Sequence, residues 1–374
     1  MQRRTFLTAV VGISTLLAAG GKKMLLSAKA DSTPAALSFG YHLPLESEPH
    51  LRTFMQWPSR ASIYGGQRAL VAVRGKIALI AGAISRFEPV VILASPAHMQ
   101  GAALALGADI EIWPIATDDL WCRDSGPTFL RSNDGKLAVA ELNFNGWGNK
   151  QVHGNDSKIA GLVAQKLGLP VFSNAVTGEA GGVECDGAGT LLAHESSWIN
   201  SNRNGGDKAL VERQLLAALG AERMIWAPGI TGADITDYHI DALARFIQPG
   251  QVLLQLPRRI DRADPWSLAA YETYAVLKQA RDAAGRALDI VVVDEPDPAR
   301  IRSAKRDFVA SYANYYVCNG AVISAEFGDA AADAKAAQVL GQLYPGRQVL
   351  SLNIDAIGEA GGGIHCATKE QPEG

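Results

Sequence analysis

The sequence predicts an α/β protein built from a repeated unit, in which a cluster of short strands is followed by one helix. Two observations favour this class. Short β-branched runs recur between turn signals, and five segments combine helical periodicity with capping residues at their ends. Because the spacing of these helices is uneven, the pattern alone leaves a doubly wound α/β sheet as an alternative.

The predicted helices are defined mainly by their ends. The second runs from Asp156 to Leu167-Gly168, and the third begins at Asp207 and ends at Gly220. Aspartate before the first turn and glycine after the last one are favoured capping residues. The remaining three helices are expected at 69–86, from Asp264-Pro265 to Gly285, and from Asp329 to the residues before Pro345-Gly346.

The predicted strands lie between these helices. Asp-Gly and Asn-Gly favour tight hairpins, so two-residue turns are expected at Asp186-Gly187 and Asn319-Gly320. The strands are expected at 90–93, 137–142, 190–193, 252–254, 290–293, 315–317 and 349–354.

The composition excludes several classes of protein. Of the 374 residues, 48% are hydrophobic and 20% are charged, which is typical of a globular chain with a sizeable core. The 35 Lys and Arg nearly balance the 38 Asp and Glu, for a net charge of −3. Since no basic run follows the extreme N-terminus, nucleic acid is not an expected partner.

The first 30 residues are expected to be a twin-arginine signal peptide, which leaves 31–374 as a single domain. Arg3-Arg4 precedes an apolar run, and Ala28-Lys29-Ala30 provides a cleavage pattern. The apolar run, about 14 residues long, is shorter than the roughly 20 residues that span a bilayer. We therefore expect a periplasmic or secreted protein without stable membrane insertion after processing. An uncleaved anchor and ordinary secretion are the alternatives.

The four cysteines lie in different segments of the chain. An even number in an exported protein allows two disulfides in three connectivities. Four cysteines in a domain of this size are nevertheless too sparse for a disulfide scaffold. The sequence therefore leaves the pairing of Cys122, Cys185 and Cys318 open.

Two segments place titratable side chains beside structure-ending residues. Asp124 precedes Gly126-Pro127, so it is expected at a strand end or turn; an aspartate that only forms its own turn hydrogen bonds is the alternative. Farther along, alternation places His239 and Asp241 on one face of a strand. A histidine with a purely structural role is the alternative there.

A third segment places a cysteine after three glycines. Gly361-Gly362-Gly363 allows close approach of the backbone, which favours a reactive role for Cys366. A buried thiol in a flexible tail is the alternative. Because no CxxC, HxxxH or HExxH spacing occurs, no metal site is expected. The sequence also has no GxSxG motif and no P-loop.

Short motifs run in order along nearly the whole mature chain. They are Glu46-Ser47-Glu48-Pro49-His50, Trp57-Pro58, 121–129, 143–148, Glu179-Ala180-Gly181, 186–190, 201–204, His239-Ile240-Asp241, 311–314 and 361–366. Each is weak alone, but the ordered set resembles the agmatine deiminase and bacterial peptidylarginine deiminase family, a branch of the guanidine-modifying enzymes. Two positions depart from the family pattern. Ala180 replaces a glycine, which could change how Glu179 is presented, and Ser47 replaces a tryptophan, which could alter the substrate entrance.

The resemblance implies a five-bladed, pseudo-symmetric α/β propeller of the pentein type, with the site in a central channel and no cofactor. It also implies roles for individual side chains. Cys366 is the expected nucleophile and His239 the expected acid/base, with Glu179 orienting His239. The residues expected to bind substrate are Asp124, Asp241, Trp121 and Asn314.

The chemistry of a guanidinium group explains why such residues are needed. The group is planar and presents paired N–H donors, so two carboxylates can fix its plane. A cysteine thiolate can then attack the central carbon, while a histidine donates a proton to the leaving ammonia and later accepts one from water. A carboxylate behind the histidine would orient it, as in a catalytic triad. The expected course is a covalent thiouronium intermediate, then a ureido product.

The expected reaction is therefore hydrolysis of agmatine to N-carbamoylputrescine and ammonia, a step of polyamine biosynthesis. Deimination of peptidylarginine or of free arginine is the alternative, because the carboxylates would bind the guanidinium group of all these substrates in the same way. An inert periplasmic guanidine-binding protein is an alternative of another class, although binding alone would need neither Cys366 nor His239. The expected partner is a small-molecule guanidinium compound, and the sequence leaves a homo-oligomer open.

Overall fold

The strands of the described residues form five small sheets. A computed structural model describes residues 36–305 and 308–374. Its strands are β1 Tyr41–His42, β2 His50–Gln56, β3 Val90–Leu93, β4 Glu111–Trp113, β5 Thr128–Ser132, β6 Leu137–Glu141, β7 Val171–Ser173, β8 Val183–Cys185, β9 Thr190–His194, β10 Arg223–Ala227, β11 Ala244–Gln248, β12 Gln251–Leu256, β13 Asp289–Asp294, β14 Tyr316–Cys318, β15 Ala321–Glu326, β16 Gln348–Asn353 and β17 Thr368–Pro372.

Five long helices and several single turns connect these strands. The α-helices are α1 Gln67–Ile84, α2 Met99–Leu106, α3 Cys122–Ser125, α4 Gly146–Asn149, α5 Ile159–Leu167, α6 Glu195–Trp198, α7 Lys208–Leu219, α8 Pro265–Gln279, α9 Ala330–Leu343 and α10 Asp355–Gly358. The 3₁₀ turns are Ala36–Phe39, Ala61–Tyr64, Pro96–His98, Asp156–Lys158, Ala180–Gly182 and Ile240–Ala242.

Each sheet repeats the same connection. An inner strand pairs antiparallel with the next strand, as β5 does with β6, and that strand pairs parallel with a third, as β6 does with β7. A long helix joins the two parallel strands, because a parallel pair needs a crossover rather than a hairpin. The unit occurs five times, with α5, α7, α8, α9 and α1 as its helices. The described chain is thus a five-bladed α/β propeller, and the predicted fold class is confirmed.

The two ends of the described chain close the fifth blade together. The C-terminal strand β17 pairs antiparallel with β2, from Thr368 opposite Met55 to Pro372 opposite His50. The same sheet continues in parallel through β3 and β4. The short strand β1 pairs instead with the edge of β5 that faces away from β6. Because β17 begins directly after residues 361–366, closure of this blade fixes the position of the glycine-rich segment.

The hydrophobic core lies between the sheets and their helices. In α1 the buried residues recur every three or four positions, which is the period of one helix face. Leu70, Val73, Ile77, Ile80 and Ile84 are at most 2% exposed and form that face. Full burial of such a side chain contributes roughly 1.5–3 kcal/mol, so α1 is held mainly by the packing of this face.

The residues before the inner strands carry the predicted chemistry. Asp124 precedes β5, Glu179 precedes β8, and His239 with Asp241 precedes β11. Asn314 and Cys366 occupy the equivalent place before β14 and β17. Each of the five blades therefore contributes the same kind of segment, the one that leads into its inner strand.

Most predicted elements are confirmed, with small shifts. The first helix is Gln67–Ile84 rather than 69–86, and the turn at Asn319-Gly320 is a two-residue hairpin, since Cys318 pairs with Ala321. The predicted extent of the fourth helix is wrong: it ends at Gln279, and the chain up to Gly285 forms a separate turn.

Two other local predictions are also wrong. The loop at Asp186-Gly187 is longer than a two-residue turn, because the Asp186 carboxylate accepts bonds from the N–H groups of Ala188 and Thr190, both at 2.8 Å. His239 and Asp241 do not lie on a strand. His239 directly precedes the 3₁₀ turn Ile240–Ala242, and Asp241 lies within it. This turn precedes β11.

All four cysteines lie in the described residues, and none of them forms a disulfide. Within residues 36–305 and 308–374, no helix is long and apolar enough to cross a membrane. The predicted signal peptide, residues 1–30, lies outside the described residues.

Candidate active site

The segments that precede the inner strands meet around one cavity of about 100 Å³. Four of the predicted side chains, Cys366, His239, Asp124 and Asp241, line it together with Trp121. These residues come from three blades and are far apart in sequence. The structure thus brings together the expected nucleophile, the expected acid/base and both expected carboxylates.

Cys366 lies between an amide and a carboxylate. Its Sγ is 3.2 Å from Nδ2 of Asn314 and 3.5 Å from Oδ2 of Asp241. Its backbone N–H donates to Oδ1 of Asn314 at 3.3 Å. Asn314 therefore contacts the thiol and the backbone of Cys366, while its other amide proton reaches the carbonyl of Asp241 at 3.3 Å. It is not among the residues that line the cavity.

His239 is held on one side by Glu179. Its Nε2 lies 3.2 Å from Oε2 of Glu179, and its Nδ1 lies 3.7 Å from Oδ1 of Asp124. Glu179 is fixed in turn by the buried guanidinium of Arg203, whose Nε is 3.1 Å from both carboxylate oxygens. Arg203 also donates to Asp237 at 2.8 Å. The predicted proximity of Glu179 and His239 is present, and the anchoring role of Arg203 was not predicted.

Asp124 is fixed by two N–H donors. The indole of Trp147 donates to Oδ2 at 3.0 Å, and the backbone N–H of Gly181 donates to Oδ1 at 3.2 Å. Asp124 lies in α3, a single helical turn before β5, which agrees with the turn expected there. Its side chain bonds Trp147, which follows β6, and Gly181, from the next blade, rather than its own turn, which argues against the purely local role.

Asp241 uses its two oxygens differently. Oδ2 lies 2.7 Å from Nδ1 of His365, the residue before the cysteine. Oδ1 is buried and, among the described residues, has no hydrogen-bond partner. Because an unpaired buried acceptor is costly, this oxygen is suited to a donor supplied by a ligand in the cavity.

Burial and charge shift the protonation equilibria of the site. Burial and the neighbouring carboxylates of Asp241 and Glu179 raise the pKa of Asp124 to about 6, despite the opposing effect of His239. Burial disfavours the charged form of His239, but Asp124 and the other carboxylates raise its pKa to about 9. Burial and the charges of Asp241 and Asp124 raise the pKa of the Cys366 thiol well above its usual value. Without a cationic ligand the thiol is therefore protonated.

Glycines allow these side chains to approach one another. A Cβ atom on Gly181 would lie 2.6 Å from Oδ1 of Asp124 and 2.8 Å from Nδ1 of His239. In the glycine-rich segment, a Cβ on Gly362 would collide with the ring of Trp121, and one on Gly363 with the Asn314 amide. These positions need glycine for lack of space, whatever their backbone angles.

The two departures from the family pattern have little effect on this arrangement. Ala180 is buried next to Gly181, and Glu179 keeps its contact with His239 at 3.2 Å. The serine at position 47 is not among the residues that line the cavity, and its carbonyl accepts a bond from Arg347. The expectation that Ser47 alters the substrate entrance therefore finds no support in its position.

Trp121 lines the cavity, and its role in binding substrate stays a prediction. Sequence reasoning gave no role to several other residues. Trp147, Arg203 and His365 all lie within the recognised motifs, yet only their tertiary partners indicate what they do. Within the part of the chain that the structure describes, no three His, Cys, Asp or Glu side chains are grouped as a metal site would require.

The five blades and the cysteine, histidine and aspartates around one cavity define the class of guanidine-modifying α/β propeller enzymes. Residues 42–372 match the family model described as Porphyromonas-type peptidyl-arginine deiminase, so the chain belongs to that family.

Full-length relatives and a solved structure agree with this assignment. The chain is 33% identical over 365 residues to agmatine deiminase of Medicago truncatula, across 89% of this chain and 96% of the relative. It is 33% identical over 367 residues to that of Pseudomonas aeruginosa (strain LESB58), across 91% and 97%. The structure of agmatine deiminase of Enterococcus faecalis superposes with a TM-score of 0.83 at 26% identity, across 91% and 98% of the two chains. The protein is therefore an enzyme that acts on guanidinium C–N bonds, and the roles of its individual side chains stay predictions.

Proposed function

We propose that this enzyme hydrolyses agmatine to N-carbamoylputrescine and ammonia through a covalent intermediate on Cys366. The observation that supports this most directly is the lining of the cavity, where a thiol, a histidine and two carboxylates face the same small volume. The full-length similarity to agmatine deiminases supports the choice of substrate.

Asp124 and Asp241 bind the guanidinium plane. The unpaired Oδ1 of Asp241 accepts one N–H of the substrate, and Asp124, oriented by Trp147 and Gly181, accepts others. Ionised carboxylates accept such charge-assisted bonds strongly. Two carboxylates fix the plane of the group and expose its central carbon to Cys366.

The bound cation also activates the thiol. The negative charges of Asp241 and Asp124 raise the pKa of Cys366 in the free enzyme, and a guanidinium between them offsets those charges. The thiol then releases its proton to solvent, and the thiolate forms a bond to the central carbon. Activation therefore depends on the substrate being cationic.

His239 moves the proton in both half-reactions. As imidazolium, it donates to the departing nitrogen while the C–N bond breaks, so that ammonia leaves and a thiouronium remains on Cys366. Neutral His239 then takes a proton from water as its oxygen bonds to the same carbon. The C–S bond breaks, the new hydroxyl proton returns to the sulfur, and the ureido product leaves. Glu179 holds the ring through Nε2 throughout.

The cavity favours a substrate with a second positive charge over one with a carboxylate. Asp234, at the exposed edge of the lining, and the buried Asp119 add carboxyl groups to it. None of the described residues that line the cavity is Lys or Arg. The primary ammonium of agmatine fits these surroundings, whereas the α-carboxylate of arginine would meet no Lys or Arg partner there. Apolar side chains such as Ile63, Ile235 and Val309 can cover the connecting methylenes.

A panel assay for ureido product tests this proposal. Agmatine, free arginine and an arginine peptide are compared, with Cys366→Ala as the blank. We expect kcat/KM for agmatine to exceed that for the other two by at least about tenfold, the factor that corresponds to about 1.4 kcal/mol of discrimination. A preference for the peptide or for free arginine would replace agmatine by the alternative substrate.

We also propose that the enzyme is exported through the twin-arginine route. The support is the sequence of residues 1–30, with Arg3-Arg4 before an apolar run and Ala28-Lys29-Ala30 after it. Replacement of Arg3-Arg4 by Lys-Lys should trap an unprocessed precursor in the cytoplasm. Unimpaired export of that variant would indicate ordinary secretion. Whether the enzyme forms a homo-oligomer is left open by the sequence.

A further inference from the structure

The residue before the cysteine is a buried histidine between two carboxylates. Nδ1 of His365 lies 2.7 Å from Oδ2 of Asp241, and its Nε2 lies 2.8 Å from Oε2 of Glu46. His365 is 2% exposed. Because an ionised carboxylate can only accept hydrogen bonds, each ring nitrogen faces an acceptor, and the ring is held at both ends.

Glu46 is itself fixed by groups from three different blades. Its Oε2 also lies 2.8 Å from Nη2 of Arg123, and its Oε1 lies 2.9 Å from both Nη2 of Arg245 and the backbone N of Val317. Although burial opposes ionisation, Arg245, His365 and Arg123 hold the pKa of Glu46 well below its usual range. A charged carboxylate with this many partners has one orientation, so Glu46 can serve as a fixed support for His365.

The consequence for Asp241 follows from its two oxygens. Oδ2 is bonded to His365, whereas Oδ1 has no partner among the described residues, although it is buried at the cavity. A carboxylate held through one oxygen cannot rotate freely about its Cβ–Cγ bond. The histidine therefore keeps the second oxygen available for a ligand. Although burial opposes ionisation, the contacts with His365 hold the pKa of Asp241 below its usual value.

We infer that Glu46 and His365 are positioning residues of the guanidinium site, which fix the Asp241 carboxylate so that Oδ1 receives the substrate. This inference rests on the proposed function, since it assumes that Asp241 binds the guanidinium group. It gives Glu46 of the motif at 46–50 and His365 of the terminal motif one shared purpose. Neither residue touches the substrate in this account, and both act through Asp241.

A purely structural role for the same ion pairs makes a different prediction. Breaking a buried pair leaves an uncompensated charge and is strongly destabilising, whatever the pair does for binding. Loss of stability alone therefore decides nothing. The two roles differ in the affinity of protein that remains folded, and in whether the loss depends on Asp241.

Agmatine binding provides that readout, measured by calorimetry in the full-length enzyme with Cys366→Ala to prevent turnover. His365→Gln should raise the Kd for agmatine at least about tenfold, since it affects a charge-assisted bond of roughly 1.5–3 kcal/mol. Glu46→Gln should also raise the Kd for agmatine, but by a smaller factor. Because both act through one carboxylate, adding His365→Gln to Asp241→Asn should cause no further loss beyond about twofold.

Glu88→Gln is the matched control for Glu46→Gln. Glu88 is also a buried glutamate with a histidine partner, His50 at 3.2 Å, but it contacts neither His365 nor Asp241. This variant should lower the melting temperature and leave the Kd for agmatine unchanged. If His365→Gln does not fold, Glu46→Gln alone and combined with Asp241→Asn gives the same comparison.

The outcomes separate this inference from the proposed function. An unchanged Kd in folded His365→Gln and Glu46→Gln, or losses that multiply with that of Asp241→Asn, would overturn the inference. Absence of ureido product from agmatine with the unsubstituted enzyme would overturn the proposed function. Product formation together with non-additive losses of affinity supports both.

Discussion

The indole N–H of Trp147 donates to Oδ2 of Asp124 at 3.0 Å. Trp147 adopts φ 55°, in the left-handed region that few residues other than glycine occupy. Both residues are buried and line the same cavity. Strained backbone of this kind persists where the surrounding structure requires it, and it is concentrated at functional sites. The strain thus has an identifiable result, which is the placement of one donor on one carboxylate.

Replacing Trp147 by Phe should lower kcat/KM for agmatine by about tenfold to a hundredfold, because it removes a hydrogen bond to a charged group of roughly 1.5–3 kcal/mol. Trp226→Phe is the control, since its indole also donates to a carboxylate, that of Glu212 at 2.8 Å, away from the cavity. The control should keep its full kcat/KM. Equal activity of both variants would show that the Trp147 bond does not serve catalysis.

The paired carboxylates give a second prediction. Asp124→Asn and Asp241→Asn keep the size of the side chain, but they remove its charge and present NH₂ groups to the N–H groups of the substrate. Each should reduce kcat/KM by at least about tenfold to a hundredfold. Asp282→Asn is the control, because Asp282 is buried and bonds only its own turn, at the backbone and side chain of Arg286. That variant should lose stability and keep its activity. A destabilised but fully active Asp124→Asn enzyme would remove Asp124 from the site.

Gly181 tests the geometry without removing any functional atom. A Cβ there would lie 2.6 Å from Oδ1 of Asp124 and 2.8 Å from Nδ1 of His239, closer than real Cβ contacts. Gly181→Ala should therefore reduce kcat by more than about tenfold, because misplacement of reacting groups by about 1 Å can cost a hundredfold. Gly161→Ala, in α5 with nothing within 4 Å of the new atom, should leave kcat unchanged. Normal kcat in Gly181→Ala would mean that the close contact is not required.

The pH profile of kcat/KM should be bell-shaped. The pKa of Asp124 is about 6, so the rate falls as the pH drops through that value and the carboxylate loses its charge. The pKa of His239 is about 9, so the rate falls again above it, because the proton for the leaving ammonia is lost. The acid limb should shift to higher pH in Trp147→Phe, since the indole bond favours the ionised carboxylate. A rate that keeps rising well above pH 9 would contradict the role of His239 as the acid.

Sequence reasoning identified the elements that carry local signals. The Asp207 and Gly220 caps bracket α7 as predicted, since a capping residue acts on its own helix. The Asp186 loop and the end of α8 were mispredicted because side-chain bonds and a separate turn override the local pattern there. Inner strands such as β8, Val183–Cys185, have three residues, too few for a periodic signal to emerge.

The site could be predicted only as a set of residues, not as an arrangement. The motifs named Cys366, His239, Asp124, Asp241 and Glu179, and the structure brings them together. The supporting contacts are tertiary: Glu46 precedes β2 and His365 precedes β17, yet their side chains lie 2.8 Å apart. No local rule relates residues so far apart, so their roles emerge only when the blades are assembled.

Trapping of the intermediate tests the central claim most directly. Acid quenching during turnover of agmatine, followed by mass analysis of the peptide that contains Cys366, should reveal an adduct with the mass of agmatine less ammonia. The adduct should disappear when turnover is allowed to finish, and Cys366→Ala should give neither adduct nor ureido product. Measurable turnover by clean Cys366→Ala protein, or an adduct on another residue, would contradict covalent catalysis by Cys366.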